Sequence, residues 1–302
     1  LINCSRLGAV MSEPSGSLTD AMFDRLEYLK GKEGLTEKQN LERIELQFRM
    51  DNYDPTILSK GCMMYLLFIY SYIKYGSQRH KWSTGDAVQQ MLKGTKMEKS
   101  SFEIIKRVTG QNLYRYKSLL KNKYLKGQLD VIDSKHIDDS KKIIDIKTSF
   151  SQFDFMKVVN SDKILRSNNF QMQGYLAMTG KEYGEVYHVL SDFTEDAILE
   201  QRNSMFKLLC PDGVTTQNFI EEWAISEESM RFGHIKDEER VIMYKVERDE
   251  RIIEKIYEKV EFCRDWLSKF EDKHKKRVTP VSYTHLRAHE TDSYLVCRLL
   301  LE

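Results

Sequence analysis

The segment "KKIIDIKTS" (141–149) limits the fold more than any other stretch of this 302-residue chain. Residues two apart on a strand point to the same face. Ile144 and Ile146 therefore enter one apolar layer, while Asp145 and Lys147 emerge together on the opposite face. A charged face on so apolar a strand is either a paired surface patch or an active site.

The preceding "KGQLD" (126–130) supplies a partner strand. If Asp130 faces Asp145, Ser134 meets Lys141, and the short polar run "KHIDDS" makes the connection. This register buries Leu129, Val131, Ile144 and Ile146 on one face and places Gln128 and Asp130 beside Asp145 and Lys147 on the other. Two carboxylates held close together repel unless a cation intervenes. Oxygen donors of this kind suit Mg²⁺, with Mn²⁺ as a substitute, and such an ion activates water and stabilises phosphate charge. Lys147 suits positioning of the attacking water or neutralisation of phosphate. The competing reading is a solvated sheet face with a routine ion pair.

A third acidic ligand is expected from the helix around 97–108. Met97, Ile104, Ile105 and Val108 form its apolar stripe, and Glu98 borders that stripe. Glu103 instead sits between Lys99 and Arg107, the pattern of a solvated face. A helix-start glutamate favoured by the dipole is the alternative reading of Glu98. On a later helix, Gln171 and Tyr175 in "NFQMQGYLAM" stand four apart on one face, able to hydrogen-bond phosphate or metal-bound water, or simply to pack at the core edge. Residues 104–129 carry seven basic residues, Lys106, Arg107, Arg115, Lys117, Lys121, Lys123 and Lys126, and no acid, and interleave Tyr114, Tyr116 and Tyr124. Phosphate contacts with aromatic stacking look like this, as does a merely solvated basic stretch; the lead into the hairpin favours DNA.

The spacing predicts helices over 18–50 starting at Thr19 and Thr36, a break at Asp54-Pro55, and a buried apolar helix ending at Gly76. A short helix at 84–92 closed by Gly94 comes next, then a helix ending near Gly110. Strands are expected at 126–133, 141–148 and 185–191, with a helix at 169–179 and a long amphipathic helix whose Ile253, Ile256, Val260 and Leu267 pack in a core. That order is an α/β core with a helical N-terminal elaboration. The net charge of +1 announces no nucleic-acid partner by itself, so a basic surface must be local. The run 62–73 is too short to span a bilayer. The scattered cysteines exclude a zinc ribbon or disulfide scaffold and fit a cytoplasmic compartment. Residues 1–10 are expected to be read-through or a fragment edge. The tail 281–302 resembles translated adapter sequence, and its His285 and His289 are set aside with it.

The ordered set resembles the PD-(D/E)xK nuclease superfamily, closest to phage RecB-like and lambda-type exonucleases. "GTKME" (94–98) matches its G-x-x-x-E, Asp130 its first strand aspartate, "DIK" (145–147) its D-x-K and "QMQGY" (171–175) its Q-x-x-x-Y. Leu129 stands where the name-giving proline often sits. The resemblance covers about residues 52–270 and implies a restriction-endonuclease-like fold, a mixed central sheet flanked by helices, over 51–280, with 1–50 as a helical extension. It implies Glu98, Asp130, Asp145 and the main-chain carbonyl of Ile146 as metal ligands, with Lys147, Gln171 and Tyr175 completing the catalytic set. The implied activity is a Mg²⁺-dependent exonuclease acting on double-stranded DNA ends in recombination or genome processing, with a single-strand annealing protein as partner and no membrane association. A nicking or structure-selective endonuclease, and a non-catalytic DNA-binding protein on the same fold, are the alternatives.

Overall fold

The structure, a computed structural model, describes residues 1–14, 17–18, 20–52, 54, 57–76, 86–149 and 151–277. Its chain separates into two compact units, Leu1–Tyr257 and Glu258–Glu302. In chain order the elements are β1 (Ile2–Asn3), α1 (Leu7–Val10), α2 (Asp20–Gly31), α3 (Glu37–Asp51), α4 (Lys60–Tyr75), α5 (Asp86–Thr109), β2 (Tyr114–Arg115), β3 (Leu119–Lys121), β4 (Leu125–Gln128), β5 (Val131–Ile132) and β6 (Ile143–Thr148). They continue with α6 (Gln152–Val159), α7 (Arg166–Thr179), β7 (Tyr183–Val189), α8 (Glu195–Leu209), α9 (Gln217–Glu228), β8 (Val241–Glu247) and α10 (Glu250–Arg277). The expected tail at 281–302, with His285 and His289, lies outside the described residues.

Strand β6 is central in a mixed sheet ordered β2-β5-β6-β7-β8, antiparallel except for the β6/β7 pair. The hairpin register is the expected one: Val131 pairs with Ile144 and Ile132 with Ile143. Asp133 closes its connection, accepting from the Ser140 hydroxyl at 2.6 Å and the Lys141 amide at 3.0 Å. Ile144 and Ile146 pack with Phe102, Ile104 and Ile105 of α5, and with Val131, Tyr187 and Val189 of the sheet. Helix α7 covers the other face, the one that carries Asp145 and Lys147.

The expected strand over 126–133 is broken at Leu129–Asp130. Its first half, β4, belongs to a separate sheet ordered β1-β4-β3, and only the second half pairs with β6. The first ten residues, expected to be extraneous, are built into the fold. Ile2 and Asn3 pair in parallel with Leu125 and Lys126, and Cys4, Leu7 and Val10 are fully buried. The reason is close packing: a Cβ at Gly174 of α7 would stand 2.5 Å from Leu7 Cδ1 and 2.9 Å from Cys4 Sγ. The extension proper is the α2/α3 hairpin, which has its own small core of Leu26, Leu29 and Leu46. Thr36 begins α3 with a reciprocal capping box to Gln39.

Gly94 does not end a helix; α5 runs through it to Thr109 and stops at Gly110 with φ 62°. Helix α4 ends at Gly76 as expected but is only partly buried: Cys62 and Leu66 face inward, whereas Phe68, Tyr72 and Ile73 are exposed. Strand β8 and helices α6, α8 and α9 add to the expected order. In α10, Ile253, Ile256 and Val260 are buried as the periodicity requires, and Leu267 is half-buried.

Gly127 of β4 lies where a Cβ would meet Tyr175 Cε1 at 2.7 Å and Cys4 Cβ at 3.2 Å. Gly127→Ala is expected to lower unfolding free energy by about 1–3 kcal/mol, through overpacking against a ring that cannot retreat. Gly31→Ala, with open space at its helical position, is expected to be neutral or stabilising by up to about 1 kcal/mol. Urea denaturation of the two variants checks the contrast.

Candidate active site

Asp145 is 3% exposed at the centre of β6. The Lys147 ammonium, two residues on, lies 2.7 Å from its Oδ2. That approach lies outside hydrogen-bonding geometry, so this buried oxygen is charge-paired yet accepts no hydrogen bond. Asp130, at the break between β4 and β5, accepts the Ile146 amide at 2.7 Å through Oδ2. The interruption of the expected strand therefore has a use: it frees the Asp130 side chain to fold back against β6.

Helix α7 lays Gln171 and Tyr175 over this face. Gln171 accepts from Lys147 Nζ at 2.9 Å and donates to Asp145 Oδ1 at 3.0 Å, which fixes its amide orientation. Its Nε2 also lies 3.2 Å from the Tyr175 hydroxyl, which in turn donates to the Gln128 carbonyl at 2.8 Å. Burial first, and the Asp145 charge second, push the Tyr175 hydroxyl well above its usual range, so it remains a donor. The same two causes raise the Cys4 thiol to about 12, leaving it a packing group rather than a nucleophile. The structure thus gathers Asp130, Asp145, Lys147, Gln171 and Tyr175, as the spacing predicts.

Glu98 is not gathered with them. It is half-buried on α5 and ion-paired with Arg115 of β2. Both partners are about one-third exposed, so the pair is worth no more than about 1 kcal/mol. Among the described residues no set of three or more His, Cys, Asp and Glu side chains converges as a ready metal site. The two aspartates nonetheless fit a divalent cation. Burial, and then the charge of Asp145, push the Asp130 carboxyl up to about 7. Its neighbour is a buried carboxylate oxygen lacking a hydrogen bond. A hard cation between them would relieve the repulsion between the two carboxylates.

The basic ribbon leads into this site. Arg115, Lys117, Lys121, Lys123 and Lys126 are exposed, while Tyr114, Tyr116 and Tyr124 are half-buried. Tyr124 stacks on Tyr257 with centroids 4.3 Å apart, so that ring is engaged within the fold rather than offered to a base.

On the β7 side of Lys147 a cavity of about 420 Å³ is lined by Ser149, Asn168, His188 and Tyr244 among others. His188 pairs in register with Lys147, is 5% exposed, and holds its Nε2 3.3 Å from Asn168 Nδ2. The basic run hid the particular role of Arg115, and nothing local marked His188, because the parallel β6/β7 register is not readable from either strand alone. Burial, and then the Lys147 charge, lower His188 from 6.5 to about 4. A histidine depressed in the folded state contributes stability above its unfolded value, and that contribution is lost as pH falls from about 6.5 toward 4. Wild-type protein is therefore expected to lose up to roughly 3 kcal/mol over that window relative to His188→Gln, measured by urea denaturation at each pH.

The model of the YqaJ-like viral recombinase domain matches residues 65–182, which contain Glu98, Asp130, Asp145, Lys147, Gln171 and Tyr175. No curated relative matches the chain. Among solved structures, a phage-related exonuclease from Haemophilus somnus 129PT is similar at 14% identity and TM-score 0.57, over 90% of this chain and 96% of that one. An alkaline exonuclease from Laribacter hongkongensis is similar at 12% identity and TM-score 0.52, over 91% and 92%. The broken hairpin, its paired aspartates and the α7 glutamine thus lie within the stretch that matches the YqaJ-like viral recombinase domain, in a chain that shares the fold of these two exonucleases.

Proposed function

We propose that the chain is a metal-dependent deoxyribonuclease of the phage exonuclease type, hydrolysing phosphodiester bonds from the free ends of double-stranded DNA. The observation that carries this reading is the Asp130–Asp145–Lys147 cluster, held by Gln171 on one face of β6. The names of the two similar exonucleases, and the viral recombinase domain, support it.

In this reading Asp130, Asp145 and the Ile146 carbonyl hold Mg²⁺, or Mn²⁺ in its place. The bound ion supplies Lewis-acid stabilisation of phosphate charge and lowers the pKa of a water ligand. Gln171 keeps one Asp145 oxygen and the Lys147 ammonium in fixed relation, so that the Lys147 charge would face the phosphate or the attacking water. Tyr175 braces Gln171 against the Gln128 carbonyl, and the exposed ribbon lysines hold the DNA backbone by charge. Single strand left by resection is the substrate of an annealing protein, the partner expected in recombination. Among the described residues no helix is long and apolar enough to cross a membrane.

Mg²⁺-dependent release of label from the ends of a linear duplex is expected, abolished by EDTA and reduced at least about 100-fold in Asp145→Ala and Lys147→Ala. Covalently closed circular DNA should survive; nicking of the circle would favour an endonuclease, and no cleavage by folded, metal-bound protein would leave a DNA-binding protein. Gln171→Leu should retain the fold yet lose about 10- to 100-fold in rate, because it frees Lys147 without removing it. Steady-state kinetics and a thermal melt on the same sample separate the two effects.

A further inference from the structure

Glu98 is diverted from the two aspartates by one residue, Arg115, and the placement of that arginine has consequences. Arg115 stands on β2, where it pairs with Val131, the residue next to Asp130. Its guanidinium binds Glu98 and lies 6.0 Å from the centroid of the Phe102 ring. It therefore places a positive charge on the α5 glutamate, from the strand that pairs with the residue following Asp130. Lys147 serves Asp145 in the same way.

The two counter-ions differ in their surroundings. Lys147 is tied on its inner side to Gln171, a buried residue. Arg115 is exposed, and it belongs to the same ribbon as Lys117, Lys121, Lys123 and Lys126. A planar guanidinium binds a phosphate bidentately and competes well for it against a partly solvated carboxylate. DNA on the ribbon would thus meet an arginine already engaged with an acidic residue of the site.

We propose that Arg115 couples DNA binding to metal binding: it occupies Glu98 in the DNA-free protein and, on transfer to a backbone phosphate, releases Glu98 toward the cation held by Asp130 and Asp145. This rests on the metal-nuclease reading above and adds to it a positioning residue and an order of assembly. Linkage makes the effect reciprocal, so DNA must tighten the metal by the same factor by which the metal tightens DNA. The device would keep a hydrolytic cation weakly bound until substrate is in place.

The test is Mn²⁺ binding, followed by the loss of the free-ion electron paramagnetic resonance signal. It uses the full chain with and without a saturating short duplex whose end linkages are phosphorothioates. Wild-type protein is expected to bind Mn²⁺ at least 5-fold more tightly with the duplex. Arg115→Gln should bind Mn²⁺ without DNA nearly as tightly as the wild-type complex does, with a residual DNA effect under 2-fold. Glu98→Gln should bind weakly in both conditions, and thermal melts confirm that each variant is folded. An Arg115→Gln protein with wild-type affinity and wild-type DNA dependence, or with weaker Mn²⁺ binding in the absence of DNA, overturns the coupling while leaving the nuclease reading intact. Wild-type protein that binds no Mn²⁺ in either condition overturns both.

Discussion

The buried Asp145–Lys147 pair is the constraint on which the arrangement of this chain turns. A carboxylate at 3% exposure in a central strand is costly unless its charge is met. The structure meets it with a lysine two residues along the same strand and a glutamine from the covering helix. Gln171 satisfies both at once, and Tyr175 ties Gln171 to the backbone of β4. That chain of bonds fixes how α7 lies on the sheet. The fixed helix in turn explains why the N-terminal segment packs so closely, with Gly127 and Gly174 making room for Tyr175, Cys4 and Leu7.

A second lysine on the same segment, this one buried, shows that this is not how the protein treats every internal charge. Lys142 reaches both carboxylate oxygens of Glu185 at 2.7 and 2.8 Å, and the Tyr187 hydroxyl donates to that carboxylate at 2.9 Å. Every oxygen there is satisfied, as a structural ion pair requires. At Asp145 one buried oxygen accepts no hydrogen bond, and at Asp130 the carboxyl is pushed up to about 7. The imbalance at one end of the strand, beside complete pairing at the other, separates a site from a brace.

Period-two alternation and the pairing of Asp130 with Asp145 were sufficient to read the hairpin register and the face shared by the aspartates and Lys147, because burial of Ile144 and Ile146 allows no other register. The helical spacing of Gln171 and Tyr175 was equally legible. What local pattern concealed was long-range. The split of 126–133 between two sheets depends on β1, 123 residues away in sequence, supplying a parallel partner to β4. The half-exposed state of α4 is invisible to a hydropathy reading, which sees only an apolar run. Glu98 borders the apolar stripe of its helix, but its engagement with Arg115 depends on where β2 falls, and no spacing rule supplies that.

Anomalous diffraction from crystals equilibrated with Mn²⁺ would show whether Asp130, Asp145 and the Ile146 carbonyl form a divalent-cation site. A strong anomalous peak is expected within about 2.0–2.3 Å of one oxygen from each aspartate and of the Ile146 carbonyl. The absence of density between the two aspartates at saturating Mn²⁺, with Lys147 still seated on Asp145, would contradict that assignment.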